Sequence, residues 1–373
     1  MRFTINTEAF LKGLATASHA ISGKAANPIL LSFKLEMDAK GLNIIGYNQE
    51  ISISTTIPCN MDGRDLIRDF SLGAALIPAR TLTDIVRRIE SPEITIEIID
   101  NSIAKIDDGK SSFKLYCMNA DEYPDIDFSV TASSFGIPAA VLSELVDQTA
   151  FAALAKDGKP LLTAINLKSE NDQIVATATD SARLSKKSIP VDGIAKLSAN
   201  LPAKILVEIS RLPDPRDVVE ISLGTERVTF EFGNTRVSSR LIPGEYPVSG
   251  SIIPHNFNYF LEVNAKEILS AIDRLSVLSQ GVAPVIKLSM SERLVEVSSA
   301  YSQTGSGVER INTFQYSGDR LEIAFNSVFV CEAIKALGSE DVNFSFIGEM
   351  KPFVIKNPND ESVVELITPM RTR

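Results

Sequence analysis

The chain has 373 residues, 44% of them hydrophobic and 23% charged, with a formal net charge of −10. That composition is ordinary for a soluble globular chain; it excludes a protein coated on every side in basic surface for nucleic acid, but not one whose positive charge is gathered on a single face. No apolar run approaches the roughly 18 residues of a membrane-spanning helix, and the opening Met1-Arg2-Phe3-Thr4-Ile5-Asn6 alternates like a strand without the apolar stretch of a signal peptide.

Cys59, Cys117 and Cys331 are few, odd in number and scattered. That pattern suits small core residues in a reducing cytoplasm, not a disulfide framework or a zinc site.

Tyr123-Pro124 returns as Tyr246-Pro247 and again as Thr368-Pro369. The period exceeds the roughly 20–50 residues of a solenoid repeat and is the size of a whole domain. Three successive units are therefore expected, at 1–128, 129–253 and 254–373.

The first unit opens with a short strand, Phe3-Thr4-Ile5, and a helix over about 7–20 with Phe10, Leu14 and Ile21 on one stripe. Strands are predicted at Pro28–Leu31, Leu42–Ile45 and Ile51–Ile57. A second helix starts at Pro78-Ala79-Arg80, with Leu82, Ile85, Val86 and Ile89 on its apolar face. Ile94, Ile96 and Ile98 alternate as a half-buried closing strand.

The second unit repeats this order. Phe135-Gly136-Ile137 leads into a helix over about 138–153 bearing Leu142, Leu145 and Val146, with Pro138 tolerated in the first turn. Strands follow at Pro160–Thr163, Ile174–Thr179 and Ser185–Ile189. Pro202-Ala203-Lys204 starts the second helix, with Ile205, Leu206 and Ile209, and Val219, Ile221 and Leu223 form the closing strand.

In the third unit Phe260–Val263 precedes a helix over about 264–278 with Ile268, Leu269, Ile272 and Leu275. Strands at Pro284–Lys287, Leu294–Ser298 and Val308–Tyr316 come next. A helix from Asn326-Ser327-Val328 carries Val330, Ile334 and Leu337, and Val342, Phe344 and Phe346 close the unit. Two helices and about eight half-exposed strands per unit define an α+β fold, with helices on one side of antiparallel sheet.

The basic residues collect on the polar faces of these helices, at Lys12, Arg80, Arg87, Arg88, Lys204, Arg211, Lys266, Arg274 and Lys335, with Lys24, Lys156 and Lys159 in turns. Acidic residues concentrate on closing strands and loops, among them Asp107, Asp108, Glu340, Asp341 and Glu365. Solvated helix faces with local pairs such as Asp84 and Arg88 explain part of this. Six helices sharing one surface would instead sum to a positive field.

No reactive constellation emerges. His19 and His255 lack metal-ligand spacing, and Gly41-x4-Gly46 is followed by Tyr47-Asn48, not the Lys-Ser/Thr of a phosphate loop. No Gly-x-Ser-x-Gly elbow occurs, and Asp107-Asp108 falls in a hairpin turn ending at Gly109. A non-catalytic protein without metal or organic cofactor is expected.

Thr179-Asp180-Ser181-Ala182-Arg183-Leu184 resembles the Thr-Asp-Gly-His-Arg-Leu stretch of the bacterial DNA polymerase III beta subunit family, the sliding clamps. The resemblance extends over the whole chain, through Met1-Arg2-Phe3-Thr4, Asn27-Pro28-Ile29-Leu30, Pro78-Ala79-Arg80, Gly244-Glu245-Tyr246-Pro247 and Thr368-Pro369-Met370-Arg371. It implies three tandem clamp domains per chain. It also implies a head-to-tail homodimer forming a ring, helices inside and sheets outside, around duplex DNA.

It further implies a cytoplasmic processivity factor that partners the replicative DNA polymerase, the clamp loader and other replication and repair proteins. Phosphate contacts carry no sequence information, so such a ring slides anywhere on duplex.

By position the resemblance puts Lys24, Arg80, Lys156 and Lys204 towards DNA. It puts a peptide-motif pocket at Leu162, Thr179, Ser181, Arg183, Leu184, Pro247, Ile252, Leu366, Ile367, Thr368, Pro369, Met370 and Arg371. Aliphatic walls there would bury Leu or Phe anchors while a few polar groups fix register. Phe113 and Leu115 would meet Val277 and Leu278 of a second subunit. Two departures stand out: Ser181-Ala182 replace the common Gly-His, removing one polar contact, and Thr368 replaces a usually apolar residue. A peptide-binding repeat scaffold that does not touch DNA, and an enzyme with an unfamiliar site, are the competing readings.

Overall fold

The computed structural model describes residues 1–24, 27–129, 134–156, 158–191, 196–247, 252–278, 284–299 and 305–371. Six α-helices occur among them: α1 (Thr7–Ser18), α2 (Ala79–Val86), α3 (Ala139–Thr149), α4 (Ala203–Ile209), α5 (Ala265–Ser276) and α6 (Ser327–Leu337). Every helix that the repeat predicts is present. No helix among the described residues is long and apolar enough to cross a membrane.

Asparagine starts three of these helices for one physical reason. A helix leaves its first N–H groups without backbone partners, and a short side-chain oxygen accepts from one of them. Asn6 accepts from Ala9 at 2.9 Å, Asn264 from Glu267 at 3.2 Å and Asn326 from Val328 at 3.0 Å. α6 ends at Gly338, whose φ of 61° is the left-handed conformation that glycine adopts without a Cβ clash.

The helices are shorter than the apolar stripes suggest. Ile21 and Ile89 lie past the ends of α1 and α2, yet both still pack on the first repeat's core. α3 ends at Thr149 and passes into a 3-10 turn, Ala150–Ala152.

Pro28–Leu31 and Pro160–Thr163, expected as strands, are instead single 3-10 turns. Proline at the first position fixes a helical φ and lacks the N–H a strand ladder needs. Asn27 also caps the first turn by accepting from Ile29 N–H at 3.1 Å. The strands begin immediately afterwards, at Ser32 and Ala164. The third copy behaves differently, because Pro284 precedes a strand, Val285–Ser291, directly.

The chain forms two compact units. One comprises Met1–Ala140 with Glu208–Leu241, and the other Val141–Val207 with Ile242–Arg373. The first holds a five-stranded and an eight-stranded antiparallel sheet, and the second a nine-stranded and a four-stranded one. In the first, α1 and α2 bury Phe10, Leu14, Leu82 and Val86 against Phe3, Phe33 and Ile96. In the second, α5 and α6 bury Ile268, Ile272, Val330 and Ile334 against Leu288, Phe344 and Phe353.

Strand pairing explains why these units cut across the middle repeat. Thr235–Arg240, which ends the second repeat, pairs with Ile51–Pro58 of the first, aligning Val237 with Ile53. Asp360–Ile367, which ends the third repeat, pairs with Arg183–Pro190 of the second, aligning Leu366 with Leu184. The second and third repeats therefore each lend their last strand to the sheet of the repeat before.

The pattern leaves two strands over. Ser112–Tyr116 ends the first repeat, and Val308–Ile311 is the third repeat's counterpart of Ile51–Pro58 and Arg183–Pro190. Among the described residues each pairs on one side only and forms the edge of its sheet.

Candidate functional site

The residues expected to line a peptide pocket all fall in the second compact unit, and the strand pair Arg183–Pro190 with Asp360–Ile367 organises them. Thr179 lies opposite Leu184, and Leu184 opposite Leu366, so these three share one sheet face. Leu184 and Leu366 pack with Val354 and are flanked by Ile253, Phe257 and Val364. Thr368 continues the strand by donating its N–H to the Ala182 carbonyl at 2.9 Å, and Met370 N–H donates to Ala324 at 2.7 Å. Leu162 and Pro369 are buried, whereas Ser181, Pro247, Ile252, Thr368 and Arg371 are exposed.

Period-two alternation divides the expected set. Ile367 points to the helix-bearing face and belongs to the core under α5 and α6. Arg183, opposite Ile367 in register, points the same way. Its guanidinium lies 4.4 Å from the Phe329 ring centre and 5.3 Å from that of Phe151. It donates to Asp180 at 3.1 Å, to the Phe151 carbonyl at 2.5 Å and to Glu332. A planar cation stacked between aromatic rings and forked onto three acceptors is held in place by this chain. Arg183 thus fixes the loop and strands that carry Thr179, Leu184 and Leu366. Phe151, Phe329 and Glu332 carry no sequence signal of this role, since helical and turn spacing alone place them.

The bend before Arg183 has a left-handed residue. Ser181 has φ 81°, a conformation in which glycine would be unstrained and serine is not. Asp180 stabilises the bend by accepting from the N–H groups of Ala182 at 2.9 Å and Arg183 at 3.0 Å.

Tyr246 of the repeated Tyr-Pro pair acts as a bridge. Its hydroxyl accepts from Thr179 N–H at 3.1 Å and donates to the Ala164 carbonyl at 3.3 Å. Burial pushes its pKa up to about 12, so it stays a neutral donor.

On the helix-bearing face the same strand pair carries a buried polar group. The single Ser185 hydroxyl hydrogen reaches the Gln148 carbonyl at 2.5 Å, and Glu365 Oε1 lies 2.9 Å from the same Oγ. With that hydrogen committed, Glu365 must supply the proton for its own bond. Complete burial, opposed only in part by the nearby Arg183 charge, raises its pKa well above the usual carboxylate range. Beside it the buried Lys187 ammonium contacts Glu144 at 2.7 Å and Asp360 at 3.1 Å.

Lys24, Arg80, Lys156 and Lys204 are all exposed, and among the described residues none of them makes an ion pair. Arg80 and Lys204 are the second residues of α2 and α4. Part of the remaining helix charge is neutralised within the chain. Arg87 and Arg88 share Asp84 at 3.8 and 3.5 Å, and Arg274 pairs with Glu309. His19 Nδ1 lies 2.7 Å from Glu208.

Each unpaired edge exposes apolar side chains. Phe113 is 37% exposed and Leu115 partly buried on strand Ser112–Tyr116, and Val277 is 81% exposed at the end of α5 with Leu278 partly buried. The structure adds Tyr116, 86% exposed, and Val308, 64% exposed, one on each free edge. Both belong to alternating strands, and only their unpaired edges mark them.

A three-domain, antiparallel-sheet clamp fold is the class these elements define. The structure superposes on the DNA polymerase sliding clamp of Bacillus subtilis with a TM-score of 0.95 at 33% identity, covering all of both chains. On the beta subunit from DNA polymerase of Streptococcus pyogenes the TM-score is 0.94 at 28% identity, again over both full chains. By sequence it is 34% identical to the beta sliding clamp of Bacillus subtilis and 32% identical to that of Staphylococcus epidermidis, over the full length of each. Residues 1–127, 136–248 and 250–371 match the N-terminal, central and C-terminal domains of the DNA polymerase III beta subunit. The chain belongs to the DNA polymerase III beta subunit family, the sliding clamps, which are processivity factors and not catalysts.

Proposed function

We propose that two copies of this chain join head to tail into a ring around duplex DNA. In that ring, domains 1–128, 129–253 and 254–373 of each copy present their helices inward, and the assembly slides without sequence preference in the cytoplasm. One observation carries this reading. The second and third repeats give their last strands to the preceding repeat, which among the described residues leaves Ser112–Tyr116 without a recipient and Val308–Ile311 without a donor. A strand edge with free N–H and C=O groups is a pairing template. The two leftover edges complement each other in kind, one the missing donor and one the missing recipient, so a second copy satisfies both. Such a contact is heterologous, and it closes only if the rotation does. Phe113, Leu115, Val277 and Leu278, joined by Tyr116 and Val308, supply its apolar part.

Within the ring Lys24, Arg80, Lys156 and Lys204 face phosphates. That none of them makes an ion pair among the described residues supports this, because uncommitted cations are what backbone contacts need. The pocket around Leu162, Thr179, Leu184, Ile252, Leu366 and Thr368 takes short motifs from the replicative polymerase, the clamp loader and other replication or repair proteins. Arg183 and Ile367 support its wall from the opposite face.

Light scattering across a dilution series tests the assembly. A mass near 81 kDa, twice the 40.5 kDa of one chain, is expected. A monomer that persists at micromolar concentration refutes the strand-exchange argument. Retention on nicked circular DNA after loading, with release on linearisation, separates the ring from a peptide-binding scaffold. Equal retention on both forms would overturn topological binding, and retention on neither would leave the scaffold.

A further inference from the structure

The sheet face that carries Leu184 and Leu366 continues into a groove of about 270 Å³. Its floor includes Ile253 and Phe257, which also cover Leu184 and Leu366, so the groove begins where the apolar wall ends. Lys186 and Lys356 project into it from two strands, with His255 at its rim and Glu361 the one carboxylate among its lining side chains. Two ammonium groups against one carboxylate make a local excess of positive charge on a chain of net −10. Neither lysine makes an ion pair among the described residues. Lys186 is felt by Glu170, but that carboxyl is lowered first by its hydrogen bond to Lys168 and least by Lys186.

We propose that this groove holds an acidic flank of the peptide whose apolar anchors fill the adjoining pocket, a proposal that rests on the pocket reading above. The partner is a protein segment in which Leu or Phe anchors adjoin consecutive Asp or Glu residues. Its carboxylates meet the Lys186 and Lys356 ammonium groups while its stem lies on Ile253 and Phe257. Charged groups at the edge of an apolar site add specificity and association rate more than raw affinity. The gain is therefore modest, salt-sensitive and dependent on the sign of the flank.

Fluorescence anisotropy with labelled peptides tests this. All share one Leu- and Phe-containing anchor segment, and the flank, placed at either end in turn, is Asp-Glu-Asp, Asn-Gln-Asn or Lys-Arg-Lys. At low salt the acidic flank is expected to bind the unaltered protein about fivefold tighter than the neutral one, the scale of one or two exposed ion pairs. The advantage shrinks as salt rises. In the double variant Lys186→Glu, Lys356→Glu the preference inverts towards the basic flank, while the neutral peptide binds as before.

An acidic flank that gives no gain, or a gain that survives the double reversal, overturns the groove proposal and leaves the pocket intact. A neutral peptide that fails to bind the unaltered protein, or that is insensitive to Ile252→Glu, removes the pocket reading and this proposal together. Loss of the neutral peptide in the double variant also overturns it, since the lysines would then be serving the pocket itself. A single-stranded oligonucleotide that displaces the acidic-flank peptide through the same two lysines assigns the groove to nucleic acid instead.

Discussion

Replacing Glu365 by Gln should make the protein more stable at neutral pH, by an amount that grows with pH. Glu365 is fully buried and shares the Ser185 hydroxyl with the Gln148 carbonyl, so the folded chain holds its carboxyl proton to a higher pH than the unfolded chain does. An unfolded Glu loses its proton near pH 4.3. Between that value and the raised folded value the native state binds more protons than the unfolded one. Stability from this group is therefore complete below the unfolded pKa and is lost as pH rises towards the folded pKa.

The slope is about 1.4 kcal/mol per pH unit. Across pH 5 to 7 the difference between the two proteins therefore changes by at most about 3 kcal/mol. Glutamine keeps a donor for Ser185 and has no proton to gain, which removes the slope. Urea unfolding of both proteins at pH 5, 6 and 7 measures it, and groups common to both cancel in the difference. A difference that does not change with pH would mean that Glu365 is ionised in the folded state and that the hydrogen-bond assignment is wrong. A protonated-carboxyl infrared band at pH 7, present in the unaltered protein and lost in Glu365→Gln, is the direct check.

Arg183→Ala should destabilise the second compact unit by roughly 3–5 kcal/mol, as expected when a nearly buried charge pair loses one partner. Arg183→Lys should recover only part of this, since a point charge cannot fork onto Asp180 and the Phe151 carbonyl; denaturant midpoints read both. Tyr246→Phe removes one acceptor for Thr179 N–H and one donor to Ala164, at a cost of about 1–3 kcal/mol if the freed groups stay dry; unchanged stability would show that water replaces the hydroxyl. Phe113→Asp or Val308→Asp should shift the mass from dimer to monomer in light scattering, with circular dichroism unchanged. Arg80→Glu with Lys204→Glu should weaken DNA loading and flatten its salt dependence while leaving mass and folding intact; unaltered loading takes both residues off the DNA-facing surface.

The repeat, the helices and their apolar stripes were legible from periodicity alone. A stripe such as Leu82, Ile85 and Val86 is a local property of the chain. Local too are the asparagine caps, the hairpin turn after Asp107 and the clustering of cations on helices. The misread segments were equally local in cause. Pro28 and Pro160 begin 3-10 turns because a ring-locked φ and a capping Asn27 outweigh the aliphatic run that follows, and Ile21 and Ile89 extend their stripes past the true helix ends.

Pairing across repeats could not be read the same way, because a strand's alternation does not name its partner. Only the tertiary structure decided that Asp360–Ile367 joins Arg183–Pro190, and hence that Leu184 and Leu366 share a face while Arg183 and Ile367 point oppositely into the helix side. The same pairings left Ser112–Tyr116 and Val308–Ile311 as free edges and enclosed Glu365 beside Ser185. Periodicity along one chain fixes which residues are apolar and which are wet; the environment of a charge depends on residues far away in sequence that folding brings against it.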